Sequence, residues 1–196
     1  MQINIRLEKE NEWRDIEVLT RKAFWKDEKI KEIGIGCDEH YLAHTLRLAP
    51  EFIPELDFVA EIDGKLVGNV MYSKAYVVKP DGIRHEVINF GPLSVLPEYQ
   101  NKGVGSALMN HSLKAAKEMK YGSVIFFGHP TYYPRFGFKE AKVYGITTYW
   151  GTNFPAFMAM ELIEGDLDGV TGKYYECPLY EVNDEKAREF DKLFQK

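Results

Sequence analysis

The stretch that decides the fold runs from Ile88 to Leu108 and reads INFGPLSVLPEYQNKGVGSAL. Its first half is apolar and typical of a buried strand, and its second half is a turn, with Gly103 and Gly105, that leads into a helix. Such a turn leaves the amides of the first helical turn open, at the positive end of the helix dipole. The stretch therefore predicts a site for a diphosphate. A tight turn without a ligand is the alternative.

The glycine spacing excludes two common nucleotide sites. A dinucleotide fingerprint needs a third glycine near position 108, where Leu108 stands, and it opens a parallel unit, whereas this turn follows strands predicted to be antiparallel. The sequence contains no GxxxxGK[ST], which excludes a Walker loop. Pro92 follows Gly91 inside the strand and cannot donate to a ladder, so we expect a bulge or splay that leaves backbone groups for an amide-bearing ligand.

On the hexapeptide QNKGVG, residues 100–105, the chain resembles the GNAT superfamily of acetyl-CoA-dependent N-acetyltransferases, whose signature is Q/R-x-x-G-x-G/A. The resemblance implies that main-chain amides of this turn bind the pyrophosphate of coenzyme A. It also implies that the preceding strand pairs with the pantetheine arm through its backbone. The residues implied in binding acetyl-CoA, the cosubstrate, are Leu93, Ser94, Val95, Gln100, Asn101, Lys102, Gly103, Val104, Gly105 and Ser106.

A second motif, GHPTYYPRFGF at residues 128–138, resembles the Y-x-x-x-G-F motif of the same superfamily. The resemblance places Tyr133 near the sulfur of acetyl-CoA, as the catalytic acid that protonates the departing thiolate. Tyr132 is expected to pack in the core. The YYPRFGF sequence looks most like a bacterial branch of predicted acetyltransferases. Together the two motifs cover roughly residues 88–138.

Acyl transfer to an amine also needs a base, because an ammonium ion has no lone pair. At pH 7 only about one part in 10³ of a lysine-like amine is neutral. Some members of the superfamily carry a glutamate on the strand before the turn, but the corresponding residue here is Asn89, which cannot accept the proton. Glu61, Glu86 and a chain of water molecules remain open as alternatives, and no base is assigned.

Composition predicts one domain over residues 1–196. The 45% hydrophobic and 14% aromatic content excludes disorder, and no run approaches the ~18 apolar residues of a membrane-spanning helix. Met1 to Arg6 lack a basic segment followed by an apolar core, which predicts a cytoplasmic protein. The net charge of -5 argues against nucleic acid and membranes as partners.

Metal chemistry is not expected. The two cysteines, Cys37 and Cys177, lie far apart and form no CxxC pair, so both are predicted to be reduced thiols. His40 and His44 have a spacing that can bind zinc, but HExxH and an evident third ligand are missing. We therefore expect one partly buried and one exposed histidine and no metal.

The expected fold is α/β (α+β): a GNAT-like, mixed, mostly antiparallel and splayed central sheet flanked by helices. Turn signals and apolar periodicity predict strands at 2–7, 56–62, 65–78, 84–96, 123–127, 142–149 and 157–163, and helices at 12–24, 38–48, 103–120 and 181–194. Residues 26–36 are expected to form a charged loop.

The resemblance and the chemistry together predict an N-acetyltransferase that moves an acetyl group from acetyl-CoA to a primary amine by direct attack in a ternary complex. Two alternatives stay open: a coenzyme A binding or sensor module without turnover, and an acyltransferase for a longer acyl group. The acceptor is a small-molecule or protein amine that no motif identifies. A homodimer is also left open.

Overall fold

The computed structural model describes residues 2–194. Within that range the chain forms five α-helices and nine β-strands. The helices are α1 Trp13–Phe24, α2 Asp27–Ile33, α3 Glu39–Leu46, α4 Val104–Glu118 and α5 Asp184–Asp191. The strands are β1 Asn4–Leu7, β2 Phe58–Ile62, β3 Lys65–Val78, β4 Arg84–Val95, β5 Ser123–Phe127, β6 Lys139–Glu140, β7 Ile146–Thr148, β8 Phe157–Glu161 and β9 Gly172–Tyr175.

The sheet has the hydrogen-bonded order β1-β2-β3-β4-β5-β8-β6, and β9 pairs with β3 and β7. β2 and β3 form an antiparallel hairpin whose turn residues Asp63 and Gly64 have φ of 51° and 78°, as the favoured two-residue turn requires. β4 and β5 are parallel because α4 connects them, and Ile88 lies opposite Val124. The predicted mixed, mostly antiparallel sheet flanked by helices is confirmed.

The described chain forms two compact units. The first unit contains residues 2–71, 91–111 and 178–194, and the second contains residues 72–90 and 112–177. Each unit is thus assembled from separate stretches of sequence. The expectation of one domain over residues 1–196 stays a prediction.

The first unit packs α1 onto its strands. Ile16 and Leu19 on α1 are buried together with Val59 and Leu96, so the apolar face of this helix packs against the strand region of the same unit. Gly68 on β3 is needed for close packing. A Cβ at that position would lie 2.9 Å from the carbonyl oxygen of Ser94 and 3.0–3.1 Å from side chains of α4. The start of α4 therefore sits tightly against the strands of its own unit.

The second unit is built around a core rich in aromatic and branched side chains. Phe157 and Tyr174 are buried at its centre, and the Tyr174 hydroxyl donates a hydrogen bond of 2.9 Å to the Ile125 carbonyl. The buried members of this core are Ala75, Val77, Val87, Ile125, Ala141, Ile146, Phe157, Ala159, Leu167, Val170 and Tyr174.

Several elements differ from the sequence expectations, among them the short strand β6, which was not predicted. α2 forms where a charged loop was expected; it buries no residue, so no apolar periodicity marks it. The strand expected at 142–149 is a 3-10 turn, Ala141–Tyr144, followed by the short β7. β9 was not predicted, because its pairing with β3 and β7 joins segments that are distant in the sequence.

Candidate functional site

In the first unit, the final part of β4 offers its backbone rather than its polar side chain. The Gly91–Pro92 bond is cis, and the Tyr180 hydroxyl donates a hydrogen bond of 3.0 Å to the Gly91 carbonyl. Ser94 is fully buried, with its hydroxyl 3.0 Å from that of Thr20. A ligand along Leu93, Ser94 and Val95 would therefore meet main-chain groups, because the Ser94 hydroxyl is already engaged.

The turn between β4 and α4 has the conformation that its glycine predicts. Asn101 and Gly103 have φ of 58° and 87°, in the left-handed region that favours glycine and asparagine. A Cβ at Gly103 would meet no atom within 4 Å, so the surface beside this residue is open. The Gln100 side chain donates a hydrogen bond of 3.1 Å to the Val95 carbonyl and ties the turn to the strand.

The first turn of α4 suits an anion. The Ala107 amide donates to the Gly103 carbonyl at 2.9 Å, so the helical hydrogen bonds begin there. Helix geometry leaves the amides of Val104 and Gly105 without an intrahelical acceptor. Val104 is only 1% exposed and anchors the helix, while Lys102 and Gly103 are exposed. Partial positive charge and open backbone therefore coincide at this turn.

In the second unit, Tyr133 begins a 3-10 helix, Tyr133–Phe136, that follows β5. Its ring centroid lies 4.6 Å from that of Phe126, 5.5 Å from that of Phe90 and 6.0 Å from that of Phe138. A Cβ at Gly128 would come within 2.6 Å of the Tyr133 ring, so this glycine provides the space for it. The ring is thus held on several sides by aromatic packing.

The Tyr133 hydroxyl makes no hydrogen bond within residues 2–194. Burial raises the pKa of Tyr133 above its ordinary value, and Tyr132 adds to the rise. The hydroxyl is therefore protonated at neutral pH and can donate a hydrogen bond. Tyr132, expected in the core, is half-buried instead, with the Arg135 guanidinium carbon 4.4 Å from its ring centroid.

The second unit also contains a carboxylate that sequence reasoning missed. Asn89 is 1% exposed; its side-chain oxygen accepts a hydrogen bond from the Ser73 hydroxyl, and its side-chain nitrogen donates to Glu176 Oε2 at 3.2 Å. Glu176 directly follows β9, the strand that no pattern marked. Glu86 is exposed and 4.0 Å from the Lys74 amine, while Glu61, in the first unit, is ion-paired with Arg6.

His40 and His44 are separately engaged in the first unit. His40 is fully buried, with Nε2 3.2 Å from an Asp191 oxygen, and His44 Nδ1 lies 2.8 Å from a Glu17 oxygen. Both cysteines are buried, and neither is in a disulfide. In the described part of the chain, no three His, Cys, Asp or Glu side chains are grouped as metal ligands would be. Over the same part, no helix has the length and apolar character to cross a membrane.

Comparison with known proteins shows which family this chain resembles. A family model described as the acetyltransferase (GNAT) family matches residues 12–138. The "Uncharacterized N-acetyltransferase YhbS" of Escherichia coli (strain K12) is 30% identical over 164 residues, which cover 82% of this chain and 89% of that protein. The fold and the predicted superfamily are both confirmed by these and the structural matches.

Two solved structures align over nearly the whole chain. The GNAT family N-acetyltransferase YhbS from Escherichia coli, in complex with CoA, has a TM-score of 0.78 and 28% identity and covers 93% of this chain and 94% of its own. A GNAT family acetyltransferase from Brucella melitensis, in complex with acetyl-CoA, has a TM-score of 0.68 and 23% identity and covers 92% and 99%. The second likeness is one of fold.

Proposed function

The chain belongs to the GNAT family of acetyltransferases, and we propose that it is an acetyl-CoA-dependent N-acetyltransferase acting on a primary amine. The amine attacks the thioester directly within a ternary complex. The acceptor is a small-molecule or protein amine. As part of this proposal, the YYPRFGF sequence places the chain in a bacterial branch of predicted acetyltransferases that share this motif.

The observation that carries the proposal is the open turn at Gln100–Gly105. Gly103 leaves free space where a side chain would stand, and the amides of Val104 and Gly105 precede the first helical hydrogen bond, at the end of the helix whose dipole favours an anion. We assign the pyrophosphate of coenzyme A to this turn, Gln100 to Ser106, and the pantetheine arm to the backbone of Leu93, Ser94 and Val95. The open Gly103 surface and the engaged Ser94 hydroxyl both fit this assignment.

Tyr133 is the proposed catalytic acid. An alkyl thiol such as that of cysteine has a pKa of about 8.5 and a free phenol about 10, so complete proton transfer from an ordinary tyrosine to a thiolate of this kind is already uphill. Because burial raises the pKa of Tyr133, the transfer is more uphill still. The hydroxyl therefore acts chiefly by donating a hydrogen bond as negative charge develops on the sulfur.

The test combines binding with turnover. Calorimetry measures coenzyme A affinity, and thiol release with mass spectrometry follows acetylation of small amines, peptide N-termini and lysine side chains. Acetylated product with stoichiometric thiol release supports the proposal. Tight coenzyme A binding with no product on this panel contradicts it and favours a binding module, and faster reaction with longer acyl thioesters favours a different acyltransferase.

A further inference from the structure

We propose that Glu176 is the general base of this reaction and that Asn89 positions it, an inference that rests on the proposed acetyl transfer to an amine. The amine acceptor is a cation at neutral pH and must lose a proton before its nitrogen can attack. The second unit contains a carboxylate that is hydrogen-bonded to a buried residue of β4, the strand that precedes the proposed cofactor turn. That carboxylate belongs to Glu176.

The contact fixes the carboxylate in one orientation. Asn89 is buried in β4, and the Ser73 hydroxyl donates to its side-chain oxygen, which turns the side-chain nitrogen toward Glu176. That nitrogen donates to Glu176 Oε2 at 3.2 Å. An ionised carboxylate accepts such a bond, and the ionised form is also the one that takes up a proton. A carboxylate has about four acceptor positions, of which the amide N–H of Asn89 uses one.

Strand geometry separates the base from the acid. Successive side chains of a strand point to opposite faces. Asn89 contacts Glu176 on one face of β4, whereas the next residue, Phe90, packs against Tyr133 on the other, with ring centroids 5.5 Å apart. The attacking nitrogen and the departing sulfur are bonded to the same carbon in the tetrahedral intermediate, so in this proposal the base and the acid approach that carbon from the two faces of β4.

The proton and electron changes balance without a further reactant. The ammonium gives a proton to the Glu176 carboxylate, and the freed lone pair forms the bond from nitrogen to the thioester carbon. The bond from carbon to sulfur then breaks, and the thiolate keeps that electron pair while the Tyr133 hydroxyl hydrogen-bonds to it. The acylated nitrogen loses its second surplus proton, which protonates the thiolate, and Glu176 releases the proton it had accepted to solvent. The products are the N-acetyl amine and coenzyme A.

The other carboxylates considered from the sequence are less suited. Glu86 also lies on β4, but its side chain is 64% exposed and 4.0 Å from the Lys74 amine. Glu61 is held by Arg6 at 3.0 Å in the first unit. Glu86 therefore serves as the matched control, since it is a glutamate of the same unit and lies outside the proposed machinery.

The decisive variant is Glu176→Gln, which keeps an oxygen for the Asn89 bond and removes only the basic carboxylate. We expect kcat/KM at pH 7 to fall about 10²-fold and to approach the parent value as the pH nears the pKa of the amine. Coenzyme A affinity should stay within about twofold. Glu86→Gln should leave both unchanged, and Glu176→Asp should give an intermediate rate with the parental pH profile.

The positioning role of Asn89 has its own readout. Asn89→Asp places a second carboxylate beside Glu176, which raises the pKa of the base because like charges disfavour ionisation. We expect the acidic limb of the kcat/KM profile to move to higher pH by about one unit. A purely structural contact would lower thermal stability and leave this limb in place, and that result would overturn the role of Asn89.

The outcomes separate this inference from the proposed function. If the parent protein acetylates amines and Glu176→Gln does so within about twofold at every pH, the base assignment fails and the function stands. If Glu86→Gln is the impaired variant, Glu86 is the base. If the parent binds coenzyme A but transfers no acetyl group to any amine, the function and the base assignment fail together.

Discussion

The two compact units bury different kinds of side chain, and their candidate sites use different kinds of functional group. The first unit encloses polar side-chain pairs, such as Arg47 with Glu8 at 2.7 Å and His40 with Asp191 at 3.2 Å, and its candidate site is exposed backbone at the start of α4. The second unit encloses aromatic rings, and its candidate groups are the side chains of Tyr133 and Glu176. The difference teaches that cofactor affinity and turnover should respond to substitutions in different units.

The largest expected effect is on cofactor affinity. Gly103→Glu should weaken acetyl-CoA binding about 10³-fold, because a negative charge about 4 Å from another costs about 4 kcal/mol near a protein surface. Calorimetry measures the change. Gly64→Glu is the matched control: Gly64 also has positive φ, 78° against 87°, and a Cβ there also meets nothing within 4 Å. Equal acetyl-CoA affinity in the two variants would contradict the proposal that the pyrophosphate binds at this turn.

The next largest effect is on stability in acid, and we expect it from the buried polar side chains of the first unit and not from the exposed histidine of the second. Burial lowers the pKa of His40 to about 4, although Asp191 opposes this shift. In the unfolded chain this histidine is therefore protonated below about pH 6.5, whereas in the folded chain it is protonated only below about pH 4. The contribution of neutral His40 to the free energy of unfolding is therefore fully present above pH 6.5. It is lost as the pH falls toward 4, and the loss from this residue is about 3 kcal/mol.

Urea unfolding between pH 8 and pH 4 measures this loss. His40→Asn should be less stable than the parent at pH 8 but should lose less on acidification. His129→Asn replaces an exposed histidine of the second unit and should follow the parental curve. If His40→Asn shows the same acid dependence as the parent, other groups are responsible.

The third effect is on turnover. Tyr133→Phe keeps the packing against Phe126 and removes only the hydroxyl, so we expect about 10²-fold lower kcat with nearly unchanged acetyl-CoA affinity. Because the pKa of Tyr133 is raised, ionisation of this residue should cause no loss of activity between pH 6 and pH 9. Steady-state kinetics over that range provides the measurement.

Tyr132→Phe is the control for this variant, since Tyr132 is the neighbouring half-buried tyrosine under Arg135. It should retain the parental rate. An impaired Tyr132→Phe beside an active Tyr133→Phe would transfer the acid role to Tyr132. If both variants keep the parental rate, the thiolate leaves without assistance from either residue.

The smallest effect concerns the bond that ties the turn to β4. Gln100→Ala removes the 3.1 Å hydrogen bond to the Val95 carbonyl, and an exposed bond of this kind contributes about 1 kcal/mol. Acetyl-CoA affinity should fall about fivefold. Asn110→Ala, an exposed amide farther along α4, should have no effect in the same calorimetric assay. An unchanged affinity for Gln100→Ala would mean that Gly103 and α4 hold the turn without it.

Several features of the fold were predictable because their causes are local. The period-two pattern marked β1, the turn at Asp63 and Gly64 marked the hairpin, and the helix between β4 and β5 required their parallel pairing. The glycine at 103 was informative because the turn needs its positive φ. α2 escaped prediction because it buries no side chain, and β9 because its partners are distant in the sequence.

The sequence by itself therefore determined the family and the two motifs, since each lies in a short segment whose residue types and spacing carry the signal. Only the tertiary structure decided what those residues contact. It engages the Ser94 hydroxyl with Thr20, leaves the Tyr133 hydroxyl without a hydrogen bond within residues 2–194, and brings Glu176 to Asn89 across 87 positions of sequence. Such contacts depend on which distant strands pair, and spacing along one chain does not record that choice.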